Sequence, residues 1–264
     1  EKIDGDDIKE DMDWNKLLNR KSGKNVLLSL YDPETKTRWD ETTKPITQQE
    51  EQGLLYDRWV RNNRKKVEEL SGGKVAYIHV QGMNDASYRT VFEDVLGKAI
   101  TANALIVDTR FNGGGNLHDE LSTFLNGKKY MQMAPQSVKV GAWEPRGRWS
   151  NPSAVLMSES NYSDAYLFPY AYKALGVGKL IGMPVAGTGT AVWWETQIDP
   201  TLVFGIPMVA FIGKEDRPVE NLQLEPDIRV VNDYKSILKG KDPQLERAVK
   251  EMLEEIKKPS KTGF

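Results

Sequence analysis

The chain contains no cysteine, only two histidines and no long apolar run. Without cysteine there are no disulfides, no thiol nucleophile and no thiolate metal ligand. The two histidines, His79 and His118, share no metal-binding spacing, so we expect no metal site. A bilayer-spanning helix needs about 20 consecutive apolar residues, so we expect no membrane span.

The chain also lacks a strong charge of either sign. Its 264 residues carry a formal net charge of −2, and no long basic block is present. Nucleic acid is therefore not an expected partner. The length is sufficient for one large domain or two smaller ones with a real core.

From about residue 74 onward, strand-like and helix-like segments alternate. Strands are predicted at 75–80, 104–108, 154–157 and 179–181, and helices at 87–100, 117–125 and 163–175. β-rich segments follow at 192–197, 202–204 and 208–212, and a final amphipathic helix spans about 245–256. Alternation of this kind predicts an α/β sheet covered on both faces.

The first 73 residues have a different pattern. Residues 1–44 contain two predicted strands, 25–31 and 37–42, joined by a turn. Two strands and a short helix make a poor core of their own. Residues 45–73 begin with a proline and continue as a highly charged amphipathic helix, which indicates a helical linker.

The most informative stretch is a buried-type strand followed by three glycines. Residues 104–108 lead through Thr-Arg-Phe-Asn into Gly113, Gly114 and Gly115, and a helix follows. Such a loop presents bare N–H groups to an anion. Phosphate-binding glycine motifs are absent, which favours an oxyanion of acyl transfer over a phosphate. A tight turn without chemistry remains the alternative.

Two acidic or nucleophilic positions have both structural and functional interpretations. Ser163 opens a helix after a strand, where serine most often caps the helix but can also act as a nucleophile. Glu220 lies in a loop, where it is either solvated or orients a histidine.

Three further side chains are candidates for contact with a substrate. His118 begins the helix after the glycine loop, where the helix dipole predicts a lowered pKa. It is a candidate substrate contact or base, whereas His79, within a strand, is expected to be structural. Trp193 and Trp194 are predicted either to line a cleft or to be a buried pair.

Several segments resemble, in chain order, those of the tricorn-like and tail-specific (C-terminal processing) serine peptidases. The most specific is Asp-Thr-Arg-Phe-Asn-Gly-Gly-Gly at 108–115, and the others lie at 75–80, 159–164, 175–182, 219–227 and 240–245. Residues 1–44 resemble, more weakly, half of the peptide-binding PDZ domain of this family. The resemblance implies three parts: a partial PDZ-like segment at 1–44, a helical linker at 45–73 and a ClpP/crotonase-type catalytic core at 74–264.

The resemblance also implies roles for individual residues. Ser163 corresponds to the nucleophile, and Glu220 to the acid of the triad. Gly115, together with Gly114, and Asp164 correspond to the donors of oxyanion N–H groups. No cofactor is implied.

The general base departs from the family pattern. The tail-specific branch has a lysine 25 positions after its serine, and the residue there is Thr188. The tricorn-like branch has a histidine before the PDZ domain. We therefore expect the base to lie upstream of these 264 residues.

The function implied is hydrolysis of peptide bonds through an acyl-enzyme, with a peptide or an unfolded protein as substrate. One alternative is a non-catalytic peptide-binding or scaffold relative, and another is a crotonase-like acyl-CoA enzyme. A homo-oligomer and a periplasmic or otherwise extracytoplasmic location are family tendencies and stay expectations.

Overall fold

The computed structural model describes residues 1–134, 136 and 142–258. The chain divides into two compact units, Glu1–Arg61 and Asn62–Phe264. The three-part division expected from the sequence stays a prediction. No helix in the described part of the chain is both long and apolar enough to cross a membrane.

The first unit contains a four-stranded antiparallel sheet in the order β2-β1-β3-β4. Its elements are β1 (Lys2–Ile3), β2 (Asp6–Asp7), a 3₁₀ helix (Trp14–Leu18), β3 (Val26–Asp32) and β4 (Thr37–Thr43). The predicted hairpin is confirmed, since β3 and β4 pair from Val26–Thr43 to Asp32–Thr37. The PDZ interpretation of this unit stays a prediction.

The long helix α1 (Gln48–Ser71) begins with a capping box. The Thr47 N–H and hydroxyl donate to the Glu50 carboxylate, and the Glu50 N–H donates back to the Thr47 hydroxyl. This exchange satisfies N–H groups at the helix start and stops the chain from continuing as helix upstream. The helix predicted within residues 45–73 is therefore confirmed.

The second unit is a mixed α/β fold. Its elements are β5 (Val75–His79), α2 (Asp85–Glu93), a π turn (Asp94–Lys98), β6 (Ala104–Asp108), α3 (His118–Leu125), β7 (Met131–Met133), β8 (Ala142–Glu144), β9 (Ser153–Met157), α4 (Asp164–Ala174), β10 (Lys179–Gly182), β11 (Ala191–Thr196), β12 (Val203–Val209), β13 (Ile228–Arg229), α5 (Tyr234–Leu238) and α6 (Pro243–Glu255).

The central sheet is parallel, with the order β5-β6-β9-β10-β13. Chain neighbours in this series are sheet neighbours, so each crossover moves one strand along. Parallel strands all end at the same edge, where the segments that follow them meet. The glycine loop follows β6 and the serine turn follows β9, which are adjacent strands. The sheet therefore brings two segments that are distant in sequence side by side.

Alternate side chains of the central strands cover opposite faces of the sheet. Leu105 and Val107 of β6 belong to a buried cluster with residues of α2, α3 and α4. Ile106 points the other way, toward the face that α6 covers. Both faces are apolar, as the near-continuous apolar strands predict, so the α/β class is confirmed. The ClpP/crotonase assignment stays a prediction.

The β-rich part differs from expectation. Residues 203–209 form one strand, β12, rather than the two segments 202–204 and 208–212. Within the described residues β12 pairs with β11 alone, so Pro207 has no second neighbouring strand to supply with an N–H. Trp193 and Trp194 on β11 are 63% and 67% exposed, so the buried-pair alternative was wrong. Strands β7, β8 and β13 were not predicted.

A buried ion pair lies at the end of β6. Asp108 and Arg110 are almost fully buried, and the guanidinium donates to both carboxylate oxygens at 2.7–3.1 Å. Burial raises the pKa of Asp108, but the Arg110 charge and hydrogen bonds outweigh it and leave the pKa below its ordinary value. Arg110 also donates to Asp242 and Gln244 at the start of α6.

Replacement of Arg110 by methionine should destabilise the protein by about 3–5 kcal/mol, because it leaves the Asp108 carboxylate buried without its partner. Urea unfolding followed by circular dichroism measures the change. The control is Arg89→Met, which breaks an exposed ion pair with Asp85 and should barely shift the unfolding midpoint. Equal midpoints for the two variants would contradict this account.

Candidate functional site

The glycine loop is held to the segment after β5. The Met83 N–H donates to the Gly114 carbonyl at 3.0 Å, and the Asn116 N–H donates to the Met83 carbonyl at 2.7 Å. A Cβ at Gly115 would lie 1.9 Å from the Met83 carbonyl oxygen, and Gly115 has a φ of +142°. Only glycine fits this position without moving the backbone.

Ser163 occupies a strained turn between β9 and α4. Its backbone φ is +54°, a value that residues other than glycine rarely adopt. Its hydroxyl makes no cap hydrogen bond to α4. The helix-cap interpretation is therefore wrong for the side chain. Strain of this kind costs of order 1–3 kcal/mol and occurs where surroundings hold a functional residue in place. Strand-to-helix turns of this kind expose a serine hydroxyl.

The glycine loop and the serine turn are in direct contact. A Cβ at Gly114 would lie 2.7 Å from both the Ser163 Cβ and the Tyr162 carbonyl oxygen. The Tyr162 N–H also donates to the Asn112 carbonyl at 3.1 Å. The sheet thus brings together the two segments that the sequence singled out.

Two N–H groups beside Ser163 have no hydrogen-bond acceptor among the described residues: those of Gly115 and Asp164. Because Asp164 is the first residue of α4, its N–H also lies at the positive end of the helix dipole. The Gly114 N–H, in contrast, donates to the Asn112 side-chain oxygen at 2.9 Å. Gly114 therefore provides room for close approach, and because its N–H is engaged locally, its assignment as an oxyanion donor stays a prediction.

The Asp164 side chain binds the start of α3. One carboxylate oxygen accepts the N–H groups of Leu117 and His118 at 2.6 and 3.0 Å, and the other is 2.5 Å from His118 Nδ1. A carboxylate only accepts, so Nδ1 carries the proton. This bond raises the pKa of His118 above its ordinary value, with a smaller contribution from the Asp164 charge. The expected lowering by the helix dipole was wrong.

Glu220 is tied to the same region through residues 187–190. Its Oε2 accepts from both the N–H and the hydroxyl of Thr190 at 2.7 Å. The Ser163 N–H donates to the Thr188 hydroxyl at 2.9 Å. The Gly-Thr-Gly-Thr segment thus connects the serine turn to the acid. The contacts of Thr188 and Thr190 were not predicted. The Gly-Thr repeat at 187–190 is the sequence pattern that marks this segment.

No base contacts the Ser163 hydroxyl among the described residues. His79 is buried, its Nε2 is 3.0 Å from the Arg110 carbonyl oxygen, and burial lowers its pKa. The Nδ1 atom of His118 binds the Asp164 carboxylate. A serine, two N–H donors and a partly buried carboxylate can support acyl transfer once a proton acceptor reaches the serine.

Comparison with known proteins matches the part of the chain that carries the glycine loop, the serine turn and Glu220. Peptidase family S41 matches residues 74–230. Tricorn protease of Thermoplasma volcanium is 31% identical over 80% of this chain and 20% of its own length. The tricorn protease homolog of Saccharolobus solfataricus is 26% identical over 96% of this chain and 23% of its own length.

The crystal structure of the tricorn protease superimposes on 97% of this chain with a TM-score of 0.81 at 26% identity, and 25% of that protein is covered. The chain thus spans about a fifth of the length of the curated relatives it matches. The family match extends over more than half of the chain, so the resemblance to the tricorn-like and tail-specific serine peptidases is confirmed. This chain belongs to peptidase family S41.

Proposed function

We propose that this chain carries the catalytic core of a serine peptidase that cleaves peptides or unfolded proteins through an acyl-enzyme. The supporting observation is the setting of Ser163: its hydroxyl makes no cap hydrogen bond on a strained turn that contacts the glycine loop. The N–H groups of Asp164, the next residue, and of Gly115 in that loop have no acceptor among the described residues. Membership of peptidase family S41 and similarity to tricorn proteases favour this chemistry.

In this proposal the Ser163 oxygen attacks the scissile carbonyl carbon while the base takes the hydroxyl proton. The negative charge that forms on the carbonyl oxygen is held by the N–H groups of Gly115 and Asp164. Preorganised donors of this kind are worth about 10²–10³-fold in rate each. The leaving amine takes a proton from the base, and water then hydrolyses the acyl-enzyme.

Glu220 is proposed to orient the base. Thr190 occupies Oε2 of this carboxylate, and Oε1 has no hydrogen-bond partner among the described side chains. That oxygen is suited to accept the N–H of an imidazole, as the acid of a catalytic triad does. The imidazole is proposed to come from a histidine outside these 264 residues, because both histidines of the chain are engaged elsewhere.

A fluorophosphonate probe tests the nucleophile. The full protein that contains this chain should be labelled, and Ser163→Ala should abolish labelling, because the probe reacts only with an activated serine. Ser160→Ala is the matched control, because Ser160 is an exposed serine of the same turn. This variant should be labelled as strongly as the wild type. Labelling that persists in Ser163→Ala would sink the proposal. No labelling at all would favour the non-catalytic alternative.

The glycine loop offers an internal comparison. A Cβ at Gly114 would clash with the serine turn, whereas a Cβ at Gly113 would meet nothing within 4 Å. Gly114→Ala should therefore slow labelling by about 10²-fold or more, on the scale of a displaced catalytic group. Gly113→Ala should label at nearly the normal rate. The proposed contact is incorrect if the two variants behave alike in a time course of probe incorporation.

The role of Glu220 is tested by Glu220→Gln, which keeps the shape but removes the charge. The rate constant kcat for a peptide substrate should fall by about 10²–10⁴-fold, because the base loses its orienting acceptor. Glu215→Gln is the control: this carboxylate lies on the same loop, exposed and paired with Arg217. Normal kcat in Glu220→Gln, measured at a wild-type melting temperature, would remove Glu220 from the mechanism.

A further inference from the structure

We propose that the Asp164 carboxylate is a positioning group that sets the spacing of the two oxyanion donors, and that His118 holds this carboxylate in place. The inference rests on the proposed peptidase function. It concerns the side chain of Asp164, which is separate from the backbone N–H that faces the oxyanion.

One residue connects both donors. The Asp164 N–H is one of them, and the carboxylate of the same residue binds the N–H groups of Leu117 and His118. Those two residues follow Gly115, the other donor, by two and three positions. A short covalent and hydrogen-bonded ring therefore runs from one donor to the other. Movement of the glycine loop relative to α4 has to break these bonds.

The arrangement does more than satisfy a helix end. Leu117 occupies the cap position of α3 and has no polar side chain to offer, so the cap comes from α4. A serine or aspartate at position 117 would instead bind the N–H groups of Asp119 or Glu120, within α3 itself. Such a local cap would add no bond between α3 and the serine turn. The non-local cap ties them together.

His118 completes the set of donors around the carboxylate. The Asp164 side chain is 3% exposed, so its charge depends on hydrogen bonds from the protein. The imidazole occupies the oxygen that the backbone N–H groups leave open, and its ring packs edge-on against Phe211 with centroids 5.4 Å apart. The ring is therefore held from two sides, and the carboxylate cannot rotate without losing a partner.

The decisive variant is Asp164→Asn, which keeps the shape but replaces one accepting oxygen with an NH₂ donor. We expect kcat for a peptide substrate to fall about 10²-fold, because a displaced donor costs about that much, while KM changes little. A peptide boronate, which forms a tetrahedral adduct with the serine, should bind correspondingly more weakly. His118→Phe should produce a smaller fall in kcat, since the backbone donors remain.

Asp119→Asn is the matched control, because Asp119 is an exposed carboxylate in the same first turn of α3. It should leave kcat, KM and boronate affinity unchanged. The inference is overturned if Asp164→Asn keeps its kcat, or if it raises KM alone.

Amide hydrogen exchange separates this inference from the proposed function. If the wild-type full protein forms no boronate adduct, the peptidase proposal fails. The positioning role of Asp164 is then judged by amide exchange alone. In Asp164→Asn and His118→Phe, the Leu117 and His118 amides should exchange faster, while the interior amides of α4 keep their protection. Unchanged exchange at these two amides contradicts the positioning role in either case.

Discussion

The whole site depends on how closely the glycine loop approaches the serine turn. The 2.7 Å between a hypothetical Cβ at Gly114 and the Cβ of Ser163 leaves no room for any side chain. The approach follows from topology, because β6 and β9 are neighbouring parallel strands and the two turns leave the sheet at the same edge. A sheet with another strand between them would hold the two turns apart, whatever their sequences.

Two buried carboxylates support this edge in different ways. Asp108 is neutralised by Arg110, whose guanidinium also reaches the start of α6, so this pair anchors the base of the glycine loop. Asp164 is satisfied by two helix N–H groups and the imidazole of His118. The first charge is matched by a fixed cation, and the second by donors that include a titratable ring.

The sequence allowed much of this edge to be predicted, since β6 was placed correctly at residues 104–108 and α3 to within one residue. A short apolar run that leads into a glycine loop and then a helix leaves few alternatives. The errors lie where the decisive partner is distant in sequence. The bond between Thr190 and Glu220 joins residues 30 apart, and the bond between His118 and Asp164 joins residues 46 apart. Neither leaves a local pattern, so the sign of the His118 pKa shift was misjudged.

The cap rules show how local preference gives way to the site. Serine at the start of α4 should cap that helix, yet Ser163 adopts a φ of +54° and leaves the helix uncapped. The residue after it, Asp164, caps a different helix, α3. Each exchange is locally unfavourable, but together they free a hydroxyl and an N–H and connect two helices. Local rules fail here at consecutive residues because the contacts between α3 and α4 outweigh the preferences of either helix alone.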